Sequence, residues 1–128
     1  MDRAVLVTDL KKLFRELSEN HGPVGLLMLL APDSVSEEDW NLIVSARGFD
    51  ESSRGEAIRE VFDIVSRNFT EENWRKILRV TVLRTDDPFV TAMNESLTAD
   101  QSVLHLHAAN VSGVEIPKAI VLQSKAAA

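Results

Sequence analysis

Two histidines, His105 and His107, stand two residues apart in the otherwise apolar run VLHLHAANVSG. In an extended strand that spacing turns both imidazoles to one face. Such a pair can share a metal ion, or one ring can act as a base while the other orients a substrate. A metal would need a third ligand. The remaining histidine, His21, belongs to an NHGP turn, and Asp86 and Asp87 contribute only if folding brings TDDPF alongside. The sequence therefore favours two half-exposed histidines on a polar sheet face or at an interface, with no metal and no cofactor.

The other chemistry-bearing residues read the same way. Adjacent acids such as Asp86 and Asp87 at a helix start act as caps and meet the positive end of the helix dipole. SVSEEDW and FDESS are acidic loops without the alternating Asp pattern of a calcium loop. Ser45 in IVSARG and Ser112 in NVSGVE lack the paired glycines of a nucleophile elbow. The five glycines are scattered and form no phosphate-binding loop. The NVSG match to a glycosylation acceptor is explained by turn chemistry. Arg75, Lys76, Arg79 and Arg84 cluster around one strand that offers no aromatic stacking platform, so no nucleic-acid partner is expected.

The totals agree. The chain has 128 residues, no cysteine, 27% charged residues and a formal net charge of −6. Disulfides and thiolate metal sites are thereby excluded. The acidic balance opposes non-specific binding to nucleic acid or to an anionic membrane. The first residues, MDRAVLVTDLKKLF, lack the apolar core of a signal peptide, and VGLLMLLAP is too short to span a bilayer. These features predict a cytoplasmic protein with no membrane partner.

The elements that must position the histidines follow from periodicity. Leu6, Leu10, Leu13, Phe14 and Leu17 form one helical stripe from Asp2 to about Asn20, which NHGP stops. VGLLMLLA reads as a central strand, apolar on both faces. WNLIVSARGF alternates and reads as a strand paired with it, against a competing helix from a capping box at Ser36. Ser53 and Glu56 form a capping box before a second helix, and TEENW suggests a short turn carrying Trp74. KILRVTVLR is a third strand. TDDPF starts a further helix, and SVLHLHA and VEIPKAIVLQ form a hairpin with a bulge around ANVSG. Pro117 removes a ladder donor and places the last strand at an edge.

The order α-β-β-α-(α)-β-α-β-β predicts an α+β fold: one domain over residues 1–123 and a frayed tail at 124–128. Its sheet has about five strands, mixed and mainly antiparallel, with three main helices. Alternation predicts that Trp40, Leu42, Val44, Leu78, Val80, Val82, Leu104, Leu106, Val114, Ile116 and Ile120 share one face beneath the helices. Arg79, Thr81, Asn41, Ser45, His105 and His107 would share the other, together with Ile43 and Leu83.

No catalytic constellation emerges. The sequence points to a small non-catalytic module acting through that mixed polar and apolar face, by homodimerisation or by binding a protein partner. Arg79, Ser45, His105 and His107 are the candidate binding residues. Two alternatives are a metal-dependent or histidine-using hydrolase employing Asp86 or Asp87, and a binder of a small anion through Arg79 and Arg84.

Overall fold

The computed structural model describes residues 3–31 and 39–127. The elements run α1 (Arg3–His21), β1 (Val24–Leu30), β2 (Trp40–Ala46), a 3-10 turn (Arg47–Phe49), α2 (Arg54–Asn68) and α3 (Glu71–Trp74), followed by β3 (Ile77–Val82), α4 (Pro88–Ser96), β4 (Ala99–Val111) and β5 (Val114–Ser124). This is the expected α+β order. The five strands form one mixed, mainly antiparallel sheet in the order β3-β2-β1-β5-β4. Only β2 and β3 run parallel, joined by a crossover through α2 and α3. The competing capping box at Ser36 lies outside the described residues.

Local chemistry sets the helix starts. The Ser53 hydroxyl accepts from the Glu56 amide at 3.2 Å, the N-cap half of a capping box, and donates to the Glu56 carboxylate at 2.9 Å. Thr70 caps α3, and its amide donates to Asp9 of α1 at 3.0 Å. At α4 it is Asp87 that caps, accepting from the Phe89 amide at 2.8 Å, with Pro88 in the first turn. Asp86 instead accepts from Arg84 Nε at 3.0 Å.

Helices cover both faces of the sheet, not one. Leu6, Leu10, Leu13 and Leu17 of α1 and Val61, Ile64 and Val65 of α2 pack with Leu27, Leu29, Leu42, Val44, Ile120 and Leu122. Val90 and Met93 of α4 pack on the reverse with Leu26, Met28, Ile43, Ala119 and Val121. The central β1 is thus apolar on both sides because it is covered on both sides.

Three details differ from the sequence expectation. The last strand is interior, flanked by β1 and β4. Pro117 has no amide to donate, and β5 is tied to the end of β1 by the next residue, whose carbonyl accepts from the Ala31 amide. The residue facing Pro117 between the flanking pairs is Ala108, which leaves the extended region with φ 49°. The missing amide and the distorted strand thus coincide. The hairpin turn is also tighter than expected: Ser112 (φ 50°) and Gly113 (φ 88°) alone join Val111 to Val114, a type I′ signature. The Asn110 side chain accepts from the Gly113 amide at 3.0 Å. Finally, Leu78, expected beneath the helices, is exposed at 58% because β3 is a sheet edge; Trp74 on the single-turn α3 is exposed as well.

Candidate functional site

The strand order separates the residues that alternation had grouped. Arg79 lies on β3 and the histidines on β4, at opposite edges of the sheet. Four strand spacings put them about 19 Å apart. They also face opposite ways. Arg79 pairs with Asn41, and Asn41, Ile43 and Ser45 alternate onto the α4 side. His105 pairs with Ile120 and His107 with Lys118, on the α1 side. Ser45 is fully buried, and its hydroxyl finds no hydrogen-bond partner among the described residues. The two leucines that interleave with the histidines, Leu104 and Leu106, turn to the α4 side instead of joining Leu42 and Val44.

The hydrolase constellation does not assemble. Asp86 and Asp87 precede α4, which packs on the face opposite the histidines, and both carboxylates are already engaged. Among the described residues no three histidine or acidic side chains gather in a way that could hold a metal ion. The pair Arg79 and Arg84 is not convergent either. Arg84 donates to Asp86 and to the Asp50 carbonyl, and its hydrogen bond to Asp86 raises the guanidinium pKa and lowers that of the carboxyl.

What the fold assembles instead is the end of the sheet formed by β4. The Lys118 carbonyl points to β1, so alternate residues of β5 turn towards β1 and towards β4. Ala119 and Val121 therefore form the hydrogen-bonded pairs with Leu106 and Leu104, and the backbone groups of His105 and His107 point outward from the sheet. Among the described residues nothing pairs with them. One side of this edge shows the exposed His105 and His107. The other shows the half-buried Leu104 and Leu106, which continue an apolar surface through Leu30 and Ala109 that the nine-residue α4 covers only in part.

Lys118 is the residue that sequence reasoning missed. It is buried, and its ammonium lies 5.5 Å from the centroid of the Trp40 ring. The pairing registers place His107, Lys118, Ala31 and Trp40 in one row across four strands. The small Ala31 leaves room for the lysine stem to cross β1. The signal was present in the hairpin: counting five residues outward on each side of a two-residue Ser112-Gly113 turn pairs His107 with Lys118. On the same face a groove of about 400 Å³ separates α1 from the start of β4, lined by Lys11, Phe14, Arg15, Glu19, Gln101 and Leu122.

No helix among the described residues is long and apolar enough to cross a membrane. The chain matches no protein-family model, no curated protein and no solved structure.

Proposed function

We propose that this protein is a small, non-catalytic cytoplasmic interaction module that associates with a second copy of itself at the β4 end of the sheet. One observation carries the reading. A 13-residue edge strand presents outward backbone donors and acceptors without partners among the described residues, beside half-covered Leu104 and Leu106. Exposed edges are ordinarily blunted by charged side chains. Between Gln101 and Asn110 this strand has no Asp, Glu, Lys or Arg, so the net charge of −6 is held away from the contact. A second copy is favoured over an unrelated partner because a strand edge of this kind complements itself.

Arg79 and Ser45 fall outside this surface, whereas His105 and His107 belong to its rim. His107 stands directly across from Lys118 of β5 and His105 across from Ile120.

Sedimentation equilibrium and native mass spectrometry test the reading. The expected result is a concentration-dependent dimer that Leu106→Glu reduces to monomer while the circular dichroism spectrum is kept. A monomer at every concentration would remove the proposal.

A further inference from the structure

We infer that the second copy completes a metal site. His105 and His107 of each chain, four imidazoles in all, hold one divalent transition-metal ion of the zinc class at the two-fold axis. The site presupposes the self-association proposed above and deepens it.

One chain supplies half of what such an ion needs. His105 and His107 are exposed on one face of β4 and stand two residues apart, about 6.8 Å along the strand. Among the described residues no third histidine or carboxylate joins them. His21 is engaged elsewhere, with Glu60 at 3.1 Å and stacked on Phe49. Lys118, which faces His107, does not occupy the space between the imidazoles, because its ammonium is directed across Ala31 to the Trp40 ring.

The open edge provides the other half. β4 pairs with β5 in unbroken register from Leu104 to His107, between the shift that follows Asp100 and Ala108 at φ 49°. In that stretch the backbone groups of His105 and His107 point outward. A two-fold axis perpendicular to the sheet opposes residues equidistant from it. Opposed residues share a face of the pleat, so the axis passes through a residue. Through Leu106 it sets His105 against His107 of the second copy and His107 against His105, two hydrogen-bonded pairs lying wholly inside the regular stretch. Through any other residue of the stretch at most one such pair forms there. On the reverse face the half-buried Leu106 of each copy meets the other at the axis, in a pair of the type whose side chains approach most closely.

The same axis gathers the imidazoles. Opposed Cα atoms in hydrogen-bonded pairs are about 5.5 Å apart, so the four histidines mark the corners of a rectangle of about 5.5 by 6.8 Å on one face, with the axis at its centre. Four neutral imidazole nitrogens make a complete tetrahedral ligand set for zinc. Between Gln101 and Asn110 the strand offers no carboxylate, the ligand that magnesium and calcium need.

Zinc titration of the chelator-stripped chain tests this, followed by sedimentation equilibrium and native mass spectrometry. The dimer should carry one ion per two chains, and its dissociation constant should be lower by about tenfold or more in zinc than in EDTA. Magnesium should have no effect. Cobalt(II) should give the visible absorption of a tetrahedral site, saturating at the same ratio. His105→Ala and His107→Ala should each lose that absorption and the tightening while keeping the circular dichroism spectrum, since both side chains are exposed. Leu106→Glu should lose the absorption with both histidines still present, because it blocks the dimer. Zinc bound as one ion per chain without dimerisation would overturn the inference and leave self-association standing. So would a tightening that survives in the double variant His105→Ala/His107→Ala, or a wild-type dimer whose dissociation constant zinc leaves unchanged. A wild-type monomer in both zinc and EDTA would overturn the site and the proposed function together.

Discussion

Lys118 on β5 reaches across the small Ala31, the residue after β1, and places its ammonium 5.5 Å from the ring centroid of Trp40 on β2. The residue is buried, yet it forms no salt bridge with a carboxylate among the described residues. The indole face and the packed aliphatic stem are its partners, a cation–π contact combined with stem burial. Lys118→Met keeps the stem and should change stability by less than about 1 kcal/mol, whereas Lys118→Ala should lose about 1–2 kcal/mol. Urea denaturation followed by tryptophan fluorescence reads both. Equal losses for the two variants would mean that the charge, not the stem, is what matters.

Asp9 ties α1 to the start of α3. Buried on α1, its Oδ2 accepts from the Thr70 amide at 3.0 Å, from Asn73 Nδ2 at 2.8 Å and from the Thr70 hydroxyl at 3.3 Å. Removing the carboxylate leaves buried donors without an acceptor. Asp9→Ala should therefore cost about 2–3 kcal/mol, with the earliest loss of amide-exchange protection at residues 70–74. A uniform loss of protection across the sheet would argue against a local role.

Acid should loosen the contact between α1 and α2. A hydrogen bond from Arg67, and then one from Asn68, hold the Glu16 carboxyl below its ordinary value of 4.5. A carboxyl whose folded pKa is depressed contributes stability above its unfolded value and loses it as pH falls through the folded one. The difference in stability between the wild type and Glu16→Gln should be constant at neutral pH and shrink below about pH 4.5. Solvent access to Arg67 limits that difference to about 1 kcal/mol or less. Thermal melts at pH 7, 5 and 3 measure it, and parallel pH profiles for the two proteins would show that the pair contributes nothing.

Ser45 offers the opposite sign. Its buried hydroxyl has no hydrogen-bond partner among the described residues. Ser45→Ala should raise stability by about 1 kcal/mol, because it removes a desolvated polar group and leaves almost no void. The same variant should leave the association constant unchanged. A drop in stability would mean that the hydroxyl has a partner, such as an internal water.

Much of the fold was legible because local rules decided it. The capping box at Ser53, the Asp87-Pro88 helix start and the leucine stripe of α1 act within a few residues, and each element appears where those signals stand. Alternation also reported correctly that His105 and His107 share one face. It could not report which face, since a period of two assigns residues to sides relative to their own strand alone. Grouping Leu104 with Leu42 assumed a common phase for β4 and β2, and the ladder through β5 and β1 sets the opposite one. Pro117 misled for a related reason. A proline excludes a ladder donor only where a neighbour needs it, and the facing Ala108 has left the extended region, which no reading of β5 alone reveals.

The sequence by itself determined the number, type and order of the elements, the absence of thiol chemistry, and the pairing of the two histidines on one side of a strand. These depend on contacts between near neighbours. Only the tertiary structure decided that Arg79 and the histidines stand at opposite edges, that Ser45 is sealed in the core, that Lys118 meets Trp40 across β1, and that β4 is left with an open edge. Strand order is fixed by which apolar faces can be covered together, a competition among distant segments. No window of the chain contains it.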